Sequence, residues 1–159
     1  FIILGDEKAR KFLNDLKANG VKIVSSNSEV RRLVARVEVK VGITDTDDAN
    51  VAVREGSAVK IVYPDQSGMG TLIMPNMVCL IKNSPNQGNG KKLIDYLVSS
   101  EVEKSLAFAM CAQMPLRYDV RTPADVLTIA AIKGMDINYQ DVAVKLDKIS
   151  EFLKQWAGY

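Results

Sequence analysis

The first 64 residues alternate three times between amphipathic segments and short apolar segments, and this alternation constrains the fold more than any other feature. The amphipathic segments carry apolar residues three or four positions apart, as half-buried helices do, whereas the apolar segments are rich in β-branched residues, as strands are. We predict helices over residues 5–20, after Ser26 and over 45–56, and strands over residues 21–24, 37–44 and 58–64. Such alternation with short connections indicates parallel α/β packing.

The pattern changes after residue 64. Residues 65–70 (DQSGMG) are predicted to form a flexible connector, and Pro75 interrupts the apolar stretch 71–82, which disfavours a central strand there. Helices are predicted over residues 91–100, 101–110, 122–134 and 138–158, and the third of these has Thr122 as its N-cap. The chain is therefore expected to have an α/β first part and a mainly helical second part.

The composition favours a binding protein over an enzyme. The chain has no histidine, which excludes histidine-based acid–base catalysis and the Ser–His and Cys–His nucleophile pairs. Its net charge of +2 gives no field strong enough to indicate nucleic-acid binding. Cys79 and Cys111 both lie in apolar surroundings, so we expect two buried small hydrophobic residues, with a disulfide as the alternative.

An acidic turn follows the predicted strand 37–44. Thr44 and Asp45 lead into Thr46, Asp47 and Asp48, at the carboxyl end of a strand, where ligands bind in open α/β sheets. Asp45 or Thr46 could simply cap the following helix, with Asp47 and Asp48 favoured by the positive end of its dipole. Three carboxylates could equally face a hard cation, although the spacing does not fit an EF-hand. Both interpretations stay open at this point.

A second polar turn follows the predicted strand 21–24. Ser26, Asn27 and Ser28 precede an amphipathic helix, and Ser26 with Glu29 has the spacing of a capping box. The free N–H groups of such a helix start, together with serine and asparagine side chains, also suit an anion or a carboxylate. Since both polar turns are predicted at one edge of one sheet, we expect them to face the same space.

Four segments resemble one protein family: GITDTDD (42–48), YPDQ (63–66), GTLIMPN (70–76) and LIDYLVSSEVEKSLA (93–107). They are similar to the C-terminal half of extracellular solute-binding proteins of ABC importers, in the group related to ferric-iron-binding proteins. The resemblance implies a type II periplasmic-binding-protein fold, in which two α/β lobes, each a parallel-type sheet flanked by helices, enclose the ligand. It assigns residues 1–64 to the second lobe, 65–121 to the crossover and part of the first lobe, and 122–159 to helices that return to the second lobe.

The resemblance also implies a site and partners. Asp47 and Asp48 fall where ferric-iron binders have adjacent tyrosine ligands, so both are candidate metal ligands and ferric iron is a candidate cofactor. Asn27 falls where such proteins contact an anion, and Val37 stands where we expect a glycine closing the second helix. The expected partners are a small molecule or ion and the membrane permease of an ABC importer, in the periplasm or outside the cell.

The chain is about half as long as a complete solute-binding protein, so the resemblance implies a truncated form that carries a half-site. Such a form would expose apolar surface, so we also expect either a homodimer or a separate partner that supplies the missing lobe. The alternative is a structural or engineered α/β scaffold that binds no ligand.

Overall fold

The computed structural model describes residues 1–158, and six α-helices account for the regular structure. In chain order they are α1 (Gly5–Ala18), α2 (Asn27–Ala35), α3 (Thr46–Arg54), α4 (Gln87–Leu97), α5 (Ser100–Phe108) and α6 (Tyr139–Ala157), with a short 3₁₀ helix at Ile129–Ala131. The helices predicted over the first 56 residues, over 91–110 and near the C-terminus are therefore confirmed. No helix in this part of the chain is long and apolar enough to cross a membrane.

The chain divides into two compact units, the first of which combines Phe1–Ser25 with the residues from Asp136 onward. Its helices are α1 and α6, which bury Ala9 and Ile149 respectively. The Trp156 indole N–H donates to the Leu13 carbonyl over 2.9 Å, and Lys17 donates to the Trp156 carbonyl over 2.8 Å. The Arg10 guanidinium stacks 4.0 Å from the centre of the Phe152 ring. Apolar and polar contacts thus join two helices that are distant in sequence.

The second unit spans Ser26–Met135 and contains α2 to α5. Both of its first helices begin at side-chain caps: Ser26 Oγ accepts from the Glu29 N–H over 3.2 Å, and an Asp45 carboxylate oxygen accepts from the Asp48 N–H over 3.2 Å. These bonds satisfy N–H groups that a helix start otherwise leaves without partners. The capping part of the sequence prediction is therefore confirmed at both turns.

The three predicted strands are absent from residues 1–158, where the structure has one isolated parallel bridge, between Thr71 and Gly134. Residues 21–24 and 58–64 form no ladder, and the 37–44 segment begins as a turn and bends before extending. Val41 and Ile43 are 82% and 87% exposed. Alternating β-branched residues establish which face would be apolar, but a strand also needs a hydrogen-bonding partner, which these segments lack. The sheet of the predicted α/β fold is thus not confirmed.

Residues 65–70, predicted as a flexible connector, are held in place by hydrogen bonds. The Met69 N–H donates to the Asp65 carboxylate over 2.8 Å, while the Gln66 amide donates to Thr71 Oγ1 and accepts from the Lys133 N–H. Gly70 has a positive φ of 91°, and a Cβ there would lie 2.7 Å from the carbonyl oxygens of residues 133 and 134. A glycine is required at this position because the chain passes so close to another backbone segment.

The helix predicted over residues 122–134 is wrong except for its last part, the 3₁₀ helix at Ile129–Ala131. A turn closed by the Val126 N–H and the Pro123 carbonyl replaces its start. Val126 and Ile132 are both buried although they are six positions apart, a spacing that puts two residues on different faces of an α-helix. One face of a helix could not bury both side chains, so their burial favours an irregular backbone in this segment over the predicted helix.

Both cysteine thiols are free, and Cys79 is exposed while Cys111 is half-buried. The expectation that both are buried is therefore wrong for Cys79, because the apolar stretch around it runs over the surface instead of through a core. Met74, Met77 and Ile81 in the same stretch are also mostly exposed.

Candidate functional site

The N-termini of α2 and α3 meet in the second unit and are joined by side chains. The Asn27 amide donates to the Asp45 carboxylate, and the Thr44 hydroxyl donates to the Asn27 carbonyl over 3.4 Å. We call Asn27 together with residues 44–48 the acidic corner. Its two halves are 17 or 18 positions apart in sequence, and the structure brings them together as the two polar turns predicted.

Close packing behind the acidic corner explains why the two helix starts meet. Gly42 lies against α2, where a Cβ would be 2.4 Å from Val30 Cγ1 and 2.8 Å from Val34 Cγ2. The absence of a side chain at position 42 lets the segment before α3 approach α2. Residues 44 and 45 are thereby brought within hydrogen-bonding distance of Asn27.

Asp47 is a carboxylate of the acidic corner whose ionised form is disfavoured by its surroundings. Its half-buried position and the neighbouring Asp45 carboxylate raise the pKa of Asp47 above that of an ordinary aspartate, with burial the larger cause. The side chain of Gln113 lies close enough to interact with this carboxylate and partly offsets the rise in pKa. A cationic group placed beside this carboxylate would stabilise its ionised form.

Asp48, by contrast, already has a cationic neighbour. The Arg31 guanidinium lies 3.4 Å from the Asp48 carboxylate and 3.6 Å from that of Glu55. Residues 1–158 hold no group of three or more histidine, cysteine, aspartate or glutamate side chains arranged to bind a metal ion. The metal-binding role of Asp47 and Asp48 is therefore still a prediction from the sequence.

The other predicted site residues flank the acidic corner. Ser26 is exposed, and its hydroxyl oxygen is engaged as the cap of α2. Ser28 and Thr46 are half-buried in the first turns of α2 and α3. The caps already satisfy the N–H groups of Glu29 and Asp48, so the N–H groups of the first two residues of each helix are the groups of the acidic corner that favour an anion.

The sequence analysis did not identify Asn50, Arg54 and Gln113, which support the acidic corner from behind. Asn50 is 8% exposed, and its amide donates to the carbonyls of Cys111 (3.3 Å) and Ala112 (3.0 Å). Arg54 donates to the Ala109 carbonyl and pairs with Asp125. The available signal was an asparagine in the apolar stripe of α3, which implies a buried polar group with a partner.

A shallow cavity of about 390 Å³ lies elsewhere in the second unit, between α5 and the turn before Thr122. Glu101, Lys104, Asp119 and Arg121 line it with balanced charge. None of its lining residues belongs to the acidic corner. The cavity and the predicted site are therefore separate.

Comparison with known proteins identifies the family. The profile of the family described as "Bacterial extracellular solute-binding protein" matches residues 4–156, which is nearly the whole chain. The chain belongs to this family. Membership in a family of extracellular solute-binding proteins agrees with the predicted class of function, the binding of a solute.

Three curated relatives of this chain come from Salmonella typhimurium (strain LT2), Salmonella paratyphi A and Salmonella typhi. Each is named "Putative 2-aminoethylphosphonate-binding periplasmic protein", is 32% identical over 143 residues and matches 85% of this chain. The match covers 42% of each relative, so the chain spans about two fifths of their length. Kinship with the ferric-iron-binding group is not confirmed. No solved structure matches the chain significantly.

Proposed function

We propose that this chain is part of the solute receptor of an ABC importer, and that its solute is a small zwitterion of the aminoalkylphosphonate class. The permease of the importer is its proposed membrane partner, and the periplasm or the cell exterior is its proposed location. The family and the name of the Salmonella relatives support the class of function. The observation that carries the choice of solute is the joining of two helix starts by Asn27 and Asp45.

The acidic corner has carboxylates that suit the ammonium end of such a solute and backbone N–H groups that suit its phosphonate end. Asp45 and Asp47 are carboxylates beside each other, and the raised pKa of Asp47 reflects both its burial and that neighbour. An ammonium group between them would relieve the repulsion, in the way any opposite charge favours an ionised carboxylate. The first N–H groups of α2 and α3, at the positive ends of two helix dipoles, suit a phosphonate.

The proposal favours an organic zwitterion over a metal ion such as ferric iron. A hard cation bound by Asp47 and Asp48 would have to compete with Arg31, which lies 3.4 Å from Asp48. An ammonium group held by Asp45 and Asp47 leaves that ion pair intact. It also uses the anion-favouring N–H groups, for which a bare cation has no need.

Binding by the acidic corner alone should be weak, because Asn27 and Asp45 are both exposed. A solute held there keeps much of its surface in water, whereas tight small-molecule sites bury most of the ligand. We therefore expect dissociation constants in a range that calorimetric titration at millimolar ligand can measure.

The test is calorimetric titration of the chain with 2-aminoethylphosphonate, ethylphosphonate and ethanolamine. We expect 2-aminoethylphosphonate to bind best, since each of the other two compounds lacks one of the charged ends. Asp45→Asn should weaken its binding by about 10-fold or more, because a hydrogen bond to a charged group contributes about 1.5–3 kcal/mol. Asp95→Asn, at an exposed position in α4, is the matched control and should leave binding unchanged.

Three results would contradict the proposal. Equal affinity for ethylphosphonate would remove the role of the carboxylates. A melting temperature raised by ferric citrate or Mg²⁺ and lost in the Asp47→Asn, Asp48→Asn double variant would favour a metal site. Indifference to every compound would favour a scaffold without a ligand.

A further inference from the structure

Asn50 is the buried polar side chain of the second unit, and it joins two segments that are far apart in sequence. It lies in α3 one turn after Asp47, and its amide donates to the carbonyls of Cys111 and Ala112, 61 and 62 positions away. Placing an amide in a protein interior is unfavourable unless it is hydrogen-bonded, and here both bonds go to one short stretch of backbone. Asn50 therefore holds that stretch against α3.

The stretch that Asn50 holds is irregular and tightly packed. Ala112 is fully buried and has a positive φ of 46°, which is unfavourable for a residue with a side chain. Arg54, one turn further along α3, donates to the Ala109 carbonyl and also pairs with Asp125 at 3.0 Å. Two side chains on one face of α3 thus hold the backbone of residues 109–112, including the unfavourable conformation at Ala112.

The direction of the chain then determines where Gln113 lies. Asp47, Asn50 and Arg54 follow one another at helical spacings of three and four, so they occupy one stripe of α3. Arg54 bonds to residue 109 and Asn50 bonds to residues 111 and 112, so the segment runs along this stripe towards Asp47, and residue 113 comes next. The Gln113 side chain is among the groups that lower the pKa of Asp47, which agrees with a position near that carboxylate.

We propose that Gln113 contacts the bound solute and that Asn50 is the positioning residue that places it there. This inference rests on the proposed function, because it assigns Gln113 to the ammonium end of a zwitterionic solute. A glutamine amide that donated to Asp47 through Nε2 would leave its carbonyl oxygen free to accept from an ammonium group. Gln113 would then orient the Asp47 carboxylate and add a neutral acceptor beside it.

The first test compares two ligands in Gln113→Leu, a substitution at a half-buried position that keeps a side chain of similar size. We expect the dissociation constant for 2-aminoethylphosphonate to rise about 10-fold, and that for ethylphosphonate, which lacks the ammonium group, to stay unchanged. Gln140→Leu, at an exposed position in α6, should change neither value. A purely structural role of Gln113 would weaken the binding of both ligands alike.

The second test measures placement in the protein without ligand. The side-chain amide resonance of Gln113 should shift in Asp47→Asn, and this response should disappear when Asn50→Leu is also present. Should Asn50→Leu fail to fold, Asn50→Asp replaces it, because a carboxylate cannot donate to the two carbonyls. A side-chain amide resonance of Gln113 that does not shift in Asp47→Asn would overturn the inference.

The outcomes separate this inference from the proposed function. Absence of 2-aminoethylphosphonate binding in the unsubstituted chain overturns both. Binding that Asp45→Asn weakens and Gln113→Leu leaves unchanged overturns the role of Gln113 alone. Unequal losses for the two ligands in Gln113→Leu, with the resonance of Gln113 coupled to Asp47 through Asn50, support it.

Discussion

Val37 closes α2 in a conformation that favours glycine, so replacing it by glycine should stabilise the protein. Its φ is +60°, its N–H donates to the Val34 carbonyl over 3.0 Å, and the Glu38 N–H donates to the Leu33 carbonyl over 2.9 Å. These two bonds define the Schellman arrangement at a helix C-terminus, in which the left-handed position is usually a glycine. The sequence analysis expected glycine there for the same reason.

The size of the effect follows from two opposing contributions. The left-handed conformation costs an L-residue about 1–2 kcal/mol, which Val37→Gly relieves. Glycine loses more conformational entropy on folding, which costs about 0.4–1 kcal/mol. Val37 is 79% exposed, so little apolar contact is lost. We expect the free energy of unfolding to rise by about 0.5–1 kcal/mol, or roughly 1–4 °C in melting temperature.

Val41→Gly is the matched control, because Val41 is 82% exposed and has no positive φ. It carries the entropic cost without the relief of strain, so it should destabilise the protein by about 0.4–1 kcal/mol. Urea denaturation followed by circular dichroism at 25 °C measures both variants. The difference between them isolates the strain at position 37, and equal destabilisation by the two substitutions would refute the reasoning.

Three further predictions concern the second unit. Because the folded protein raises the pKa of Asp47, it holds this proton more tightly than the unfolded chain does, and stability falls as the pH rises through that range. Asp47→Asn should therefore raise the melting temperature at pH 7, and the gain should vanish below pH 3. Arg54 lowers the pKa of Asp125, so Arg54→Ala should lower the melting temperature more at pH 7 than in acid, where protonation of Asp125 removes the ion pair. Gly42→Ala should lower both the melting temperature and the affinity for 2-aminoethylphosphonate, whereas Gly88→Ala, where a Cβ meets nothing within 4 Å, should stabilise α4 by up to about 1 kcal/mol.

The sequence was most informative where structure is determined locally. Ser26 was predicted as one helix cap and Asp45 or Thr46 as another, from residues within three positions, and the structure has caps at Ser26 and Asp45. The left-handed end of α2 was likewise anticipated at Val37. Caps and helix ends depend on a few neighbouring backbone groups, so a short stretch of sequence contains most of the information that determines them.

The predicted strands failed because pairing is not a local property. The alternation over residues 37–44 predicts an apolar face, yet it does not specify which segment supplies the hydrogen-bonding partner. In the structure the first residues of this segment are used to close α2, with the N–H groups of both Glu38 and Val39 donating to the Leu33 carbonyl. The helix end therefore takes backbone groups that a strand would have needed.

The support behind the acidic corner could not be predicted for a related reason. Asn50 and Arg54 bond to carbonyls of residues 109–112, and a backbone carbonyl carries no sequence signature. A buried asparagine in α3 indicates that some partner exists, but its identity depends on the path of a segment about 60 positions away. Gln113 was missed with them, since its place beside Asp47 follows from that path.

The acidic corner itself was anticipated from a premise that the structure does not bear out. We expected its two turns to meet because parallel strands end at one sheet edge, but these segments form no ladder within residues 1–158. The turns meet because Gly42 allows the segment before α3 to lie against Val30 and Val34 of α2. Two capped helices packed side by side bring their N-termini together as effectively as a shared sheet does. The geometry of the acidic corner in this structure thus depends on the contact between α2 and α3, and a methyl group added at position 42 would disturb that contact because it would meet Val30 and Val34.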